Sequence, residues 1–182
     1  MSPPREKEMS VGLEIERKFL VGPSWSPPTE GGKSLRQAYL PQPPDLPGET
    51  RVRIVEHPSG GREAWWTRKG VGDLVRSEEE RSIPVDEAES LMQGATGHVI
   101  EKTRHALPLP GGLVLEVDVY AGALAGLIVA EVELPSQDTP VQLPAWVGRE
   151  ITQDKGYKNK SLALHGLPEG LTASRPARSF GR

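Results

Sequence analysis

LEIERKFLV, residues 13–21, alternates like a β-strand but gathers its charge on one side. Leu13, Ile15, Phe19 and Val21 fall on one face at period two, while Glu14, Glu16 and Lys18 fall together on the other. At about 3.4 Å per residue, two carboxylates and an ammonium line up along about 14 Å of backbone. The pattern recurs downstream. TRVRIV sets Arg51 and Arg53 against Val52 and Ile54, and AWWTRKG puts Thr67 and Lys69 together. RSEEERSI joins Glu78 and Glu80, and VIEKTRHAL joins Lys102 and Arg104. LVLEVDVY sets Glu116 and Asp118 opposite Leu115, Val117 and Val119, and VAEVELP sets Glu131 and Glu133 opposite Val132 and Leu134.

Any one of these pairs is accounted for by the wet face of an antiparallel sheet. The grouping is not, because solvated strands mix Thr, Ser, Gln, Lys and Glu, whereas these pairs are nearly pure by sign. Like-signed neighbours repel, and the repulsion is tolerated when an opposite charge or a ligand lies between the strands. The stripes therefore predict a mainly β (α+β) fold: an eight-stranded antiparallel closed barrel forming a tunnel with a charged interior, with a few helices packed outside. Its apolar outward faces need helices or a partner subunit, as in a homodimer, to cover them.

Pro and Gly clusters (GPSWSPPTEGG, PQPPDLPGE, HPSGG, LPLPGG) cut the chain into short segments joined by turns. A helix is expected after Pro84, with Asp86 as cap, Glu89 at the capping-box position and Ala88, Leu91 and Met92 as its apolar stripe, ending near Gly94. A second is expected over Asn159–Leu164. Residues 1–9 and 167–182 are polar and rich in Pro, Gly, Ser and Arg, so both are expected to be flexible tails around one domain at 10–166.

The 182 residues suffice for one core. With 26% charged residues and a net charge of −3, nothing suggests a nucleic-acid surface. The absence of cysteine excludes disulfides, a thiolate nucleophile and a zinc-thiolate site. No apolar run reaches about 18 residues and the first ten lack a signal-peptide core, so no membrane span and a cytoplasmic location are expected. His57, His98, His105 and His165 show no ligand spacing and are read as surface residues. Trp65 and Trp66 are expected to cover the outside of the barrel, with base stacking as the alternative. There is no GxxxxGK[ST] loop.

The inward set holds eight acids, Glu14, Glu16, Glu78, Glu80, Glu116, Asp118, Glu131 and Glu133, and six bases, Lys18, Arg51, Arg53, Lys69, Lys102 and Arg104. Clustered carboxylates ligate hard divalent cations, and guanidinium forks match phosphate oxygens. Two divalent ions would turn the set's charge of −2 into +2. That suits a small, dense polyanion, a polyphosphate or nucleoside triphosphate.

LEIERKFLV resembles the E-x-E-x-K signature that opens the CYTH superfamily, the triphosphate tunnel metalloenzymes. LRQAYL, TRVRI, WWTRKG, RSEEERSI, EKTRH, LEVDVYAGALAGLIVAEVEL and EITQDKGYKNKSLAL resemble the same family in the same order. The resemblance implies an eight-stranded tunnel that binds triphosphate-bearing substrates with two ions of Mg²⁺ or Mn²⁺. By position it implies metal ligation by Glu14 and Glu16 and phosphate contact by Lys18, Arg51, Arg53, Lys69, Lys102 and Arg104. Glu78, Glu80, Asp118, Glu131 and Glu133 match the acidic side, where a second metal and the attacking water are expected. Asp154, Lys155 and Tyr157 match the segment closing one mouth, and Lys155 and Tyr157 join Glu14, Glu16, Lys18, Glu78 and Glu80 in the implied catalytic set. EKTRH, VDVYAGAL and DKGYKNKSLAL are similar to the bacterial short-chain branch, which implies hydrolysis of inorganic tripolyphosphate to pyrophosphate and phosphate. Class IV adenylate cyclase and thiamine or nucleoside triphosphatase share the implied scaffold. A non-catalytic polyphosphate or nucleotide binder is the alternative from another class.

Overall fold

The computed structural model describes residues 15–71 and 78–171. Glu14, the tail at 1–9 and residues 172–182 of the other expected tail lie outside the described residues. Among the described residues nine strands form one antiparallel sheet: β1 (Ile15–Val21), β2 (Lys33–Leu40), β3 (Glu49–Glu56), β4 (Arg62–Lys69), β5 (Glu78–Ile83), β6 (Ile100–Pro108), β7 (Val114–Tyr120), β8 (Ile128–Leu134) and β9 (Val147–Glu150). All seven charge-striped segments are strands.

The expected closed eight-stranded barrel is not what forms. The strand order is β5-β4-β3-β2-β6-β7-β8-β1-β9, an open sheet whose edges, β5 and β9, do not pair with each other. Closing eight strands would require β1 to pair with β5, but the free side of β1 is taken by β9, which the sequence did not suggest. That docking is close: a Cβ on Gly148 would lie 2.9 Å from the Leu20 carbonyl oxygen. The other edge, β5, reads Glu78, Glu79, Glu80, Arg81, a charge density that opposes further strand addition.

One side of the sheet is apolar. Ala38, Val52, Ile54, Ala64 and Ile83 pack beneath Ala88 and Met92 of helix α1 (Val85–Met92). Phe19, Leu115, Val117, Ala130, Val132 and Leu134 form a second cluster, covered by Trp25, Leu143 and Trp146 from connecting segments. Fully burying a side chain such as Leu115 contributes about 1.5–3 kcal/mol. Asp86 is not the α1 cap: Pro84 takes that position with no side-chain bond, and Asp86 lies in the first turn, where its carboxylate faces the positive end of the helix dipole. Glu89 pairs with Arg62 at 2.7 Å instead of closing a capping box. His105, read as a surface residue, is 7% exposed, because it lies within β6 on the apolar side, edge-on to Trp25.

Helix α2 (Asn159–His165) matches the second predicted helix but does not pack outside. With the 3-10 turn Lys155–Tyr157 it covers one end of the charged side, where Tyr39, Ile100, Tyr120, Leu124, Leu127, Val129, Ile151, Tyr157 and Leu162 form a third cluster. The turn before β6 docks there tightly: Gly97 has φ +76°, and a Cβ on it would lie 2.3 Å from the Ala163 carbonyl oxygen. Gly97→Ala is therefore expected to cost about 1–3 kcal/mol, measured by urea denaturation; an unchanged midpoint would show that α2 shifts freely. No helix among the described residues is long and apolar enough to cross a membrane.

Candidate functional site

The register assembles the charges on one face strand by strand. Glu16 stands opposite Glu133, and Lys18 opposite Glu131, which in turn faces Glu116. Asp118 faces Arg104, and Tyr120 faces Lys102. Across β2, Leu35 faces Lys102 and Val55, Gln37 faces Arg53, and Tyr39 faces Arg51. Arg53 and Arg51 meet Trp65 and Thr67; Thr67 then faces Glu80, and Lys69 faces Glu78. Every described residue of the predicted charged set shares this face. Trp65 shares it too, whereas Trp66 turns to the α1 side, where Arg81 lies 4.9 Å from its ring centroid, so the expectation that both cover the outside holds for Trp66 alone.

At the centre is a dense ion cluster. Lys102 Nζ donates to Asp118 Oδ2 at 2.6 Å, and Arg104 donates to the same carboxylate through Nε at 2.7 Å and Nη2 at 2.8 Å. Arg104 also reaches Glu116 and, at 3.4 Å, Glu131. Asp118 has no solvent exposure. Burial alone would push its carboxyl up, but Lys102 and Arg104 outweigh that and hold it below the ordinary value. For Arg104, burial disfavours charge, yet Asp118, Glu116 and Glu131 raise its pKa further. Lys18 sits 3.1 Å from Glu16 and 3.2 Å from Glu131, and these carboxylates overcome its burial and raise its pKa.

Away from the centre the charges segregate. Lys18, Lys69, Lys102 and Arg104 each have a carboxylate partner, whereas among the described residues Arg51 and Arg53 have no ion pair. Arg51 Nε is buried without any hydrogen-bond partner. Burial, then the charges of Arg51 and Arg104, push the Arg53 pKa down. On the far side, Glu133 has no cation partner among the described residues and stands directly opposite Glu16.

Like charges placed directly opposite destabilise a sheet unless something lies between them. The carboxylate pairs Glu16/Glu133 and Glu116/Glu131 have the chemistry to hold a hard cation, and Glu14 is two residues from Glu16 in sequence. Among the described residues no group of three or more potential ligands is assembled. Asp118 is the acid least suited to a metal, since both its oxygens already take donors.

Neutral residues on this face escaped a reading based on charge. Gln37 and Tyr39 are buried, Thr67 donates to Glu80 at 3.1 Å, and the Tyr120 hydroxyl donates to Asn159 of α2 at 2.8 Å. Of the closing segment, Tyr157 is buried in the apolar cluster, Asp154 accepts from the Gly156 N–H, and Lys155 is exposed. At the β9 corner, Thr152 Oγ1 accepts the Lys18 N–H at 3.0 Å and donates to Glu150, which Arg17 grips at 2.9 and 2.8 Å. Arg17 and Thr152 depress the Glu150 pKa from 4.5 to about 2, so the stability it lends is present above 4.5 and lost as pH falls toward 2. The pair is exposed and its global effect small. Glu150→Gln at neutral pH is expected to speed amide exchange in β9 without shifting the melting temperature; unchanged exchange would show that backbone bonds alone hold this edge.

A family model described as the CYTH domain matches residues 12–167. The inorganic triphosphatase of Nitrosomonas europaea is 42% identical over 153 residues, covering 83% of this chain and 97% of that protein. The inorganic triphosphatase of Acetivibrio thermocellus is 34% identical over 154 residues, covering 84% and 94%. A crystal structure of an inorganic triphosphatase superposes with a TM-score of 0.64 at 39% identity, covering 86% of this chain and 98% of that one.

Proposed function

Because the chain belongs to the CYTH family, in its triphosphatase-like branch, we propose that its charged face binds inorganic tripolyphosphate and hydrolyses it, with a divalent cation, to pyrophosphate and phosphate. The observation that carries this reading is the pair Arg51 and Arg53. A recessed guanidinium without a counter-ion is costly, and the chain supplies every other base of the described set with one. Phosphate oxygens are the partners such forks match.

Lys18, Lys69, Lys102 and Arg104 extend the clamp on either side, so that a chain of three phosphates meets positive charge along its length. Asp118 fixes Lys102 and Arg104 before substrate arrives, removing the entropy of ordering them at the moment of reaction. In the reaction a water oxygen bonds to the terminal phosphorus as the bridging P–O bond breaks and the electron pair leaves on pyrophosphate. In this reading the water's proton passes to Glu80, a carboxylate without a cation partner among the described residues. Glu14, Glu16 and Glu133 would hold one Mg²⁺ or Mn²⁺, and Glu78 and Glu80, two residues apart on β5, would contribute to a second. Bound there, such ions neutralise phosphate charge and lower the pKa of water. Tyr157 serves by holding the α2 end of the face.

Trp65, on the charged face, is the feature that favours a nucleotide. The test is a panel of tripolyphosphate, ATP and thiamine triphosphate with Mg²⁺ or Mn²⁺, reading phosphate and cyclic AMP. Tripolyphosphate is expected to exceed ATP by about tenfold or more in kcat/KM, with no cyclic AMP. ATP turnover at an equal rate, or cyclic AMP formation, would overturn the assignment.

A further inference from the structure

Strand β2, whose one charge on this face is Lys33 at its exposed start, lies in the middle of the sheet between β3 and β6. Its residues there, Leu35, Gln37 and Tyr39, are 5%, 2% and 4% exposed. A buried primary amide is costly unless its groups are bonded, and Gln37 is bonded at both ends. Its Oε1 accepts from Arg53 Nε at 3.4 Å, and its Nε2 donates to the Tyr39 hydroxyl at 2.8 Å. The amide cannot be reversed, because that would aim its NH₂ at a guanidinium, donor against donor.

With the amide so oriented, the Tyr39 oxygen is an acceptor and its own proton must go elsewhere. Among the described residues no protein oxygen takes it. Tyr39 stands opposite Arg51, next to the cation pair that lacks a counter-ion. We propose that Gln37 is a positioning residue of the phosphate clamp: it steadies Arg53 and aims the Tyr39 hydroxyl so that Tyr39 donates to a phosphate oxygen held by Arg51 and Arg53. Burial, then the charge of Glu49, pushes the Tyr39 phenol up to about 12, so it stays a protonated donor at neutral pH. This inference rests on the reading that the face binds tripolyphosphate.

The test is calorimetric titration of the full chain with tripolyphosphate in the absence of metal, so that affinity is read without turnover. Gln37→Met keeps the side chain's length and loses both hydrogen bonds, and Tyr39→Phe keeps the ring in its apolar cluster. Each is expected to weaken binding by about tenfold. In an Arg53→Ala background, Gln37→Met is expected to cost less than it does in the unaltered protein, since one of its two partners is already gone. Should Gln37→Met fail to fold, Tyr39→Phe carries the same expectation. Unchanged affinity in both single variants, or an equal loss from Gln37→Met with and without Arg53, would overturn the positioning role while leaving the proposed function standing. Failure of the unaltered protein to bind would remove both.

Discussion

Glu16→Ala is expected to lower kcat for tripolyphosphate by about a thousandfold while leaving the fold as stable as before or slightly more so. The two effects have separate causes. Glu16 stands directly opposite Glu133, so removing one carboxylate relieves a cross-strand repulsion of about 0.2–1 kcal/mol. Its ion pair with Lys18 is half exposed on the Glu16 side and contributes little in return, and Lys18 keeps Glu131. A phosphoryl transfer without a protein nucleophile, however, relies on positioning and charge stabilisation, and loses most of its rate with a metal-holding carboxylate. Thermal melting and Mg²⁺-dependent kinetics on one preparation check both halves. A variant that keeps its rate within a few-fold would show that this carboxylate pair is not where the cation acts.

Asp118→Asn is expected to act the other way round, with a large stability cost of about 3–5 kcal/mol, because it leaves Lys102 and Arg104 facing a neutral amide in a buried site. The pH dependence has a defined sign. The folded-state pKa of Asp118 is held below its unfolded value, so its stabilisation is complete above the ordinary carboxylate value of about 3.9 and disappears as pH falls through the lower folded value. Urea denaturation is therefore expected to show a shallower loss of stability below about pH 4 in the variant than in the unaltered protein. Equal midpoints at neutral pH with identical acid slopes would mean that the cluster around Arg104 does not hold the sheet together. Activity should fall mainly through a raised KM if Lys102 and Arg104 bind substrate as proposed, since both lose their fixed orientation.

The parity of the strands was legible because period-two alternation needs no tertiary information. Glu16, Lys18, Arg51, Arg53, Lys69, Glu78, Glu80, Lys102, Arg104, Glu116, Asp118, Glu131 and Glu133 all lie on one face, as their spacing requires. Closure was not legible. Whether a sheet closes depends on what occupies the outer edge of β1, and Val147–Glu150 is too short and too irregular in register to announce itself as that occupant. Gln37 and Tyr39 were not legible, because neutral side chains leave no mark in a pattern of alternating charge. The burial of His105 was not legible for a related reason: a polar side chain on the apolar face is buried by its strand position, against Trp25, whatever its own hydration preference. The α1 cap failed locally, since Pro84 fills the N-cap position and leaves Asp86 two residues inside.

A crystal soaked with Mn²⁺ and tripolyphosphate, read by anomalous scattering, tests the central claim most directly. The expected result is phosphate density against Arg51, Arg53 and Arg104 with a manganese peak between Glu16 and Glu133. Polyanion bound on the α1 side of the sheet, or manganese distant from every carboxylate of the charged face, would contradict it.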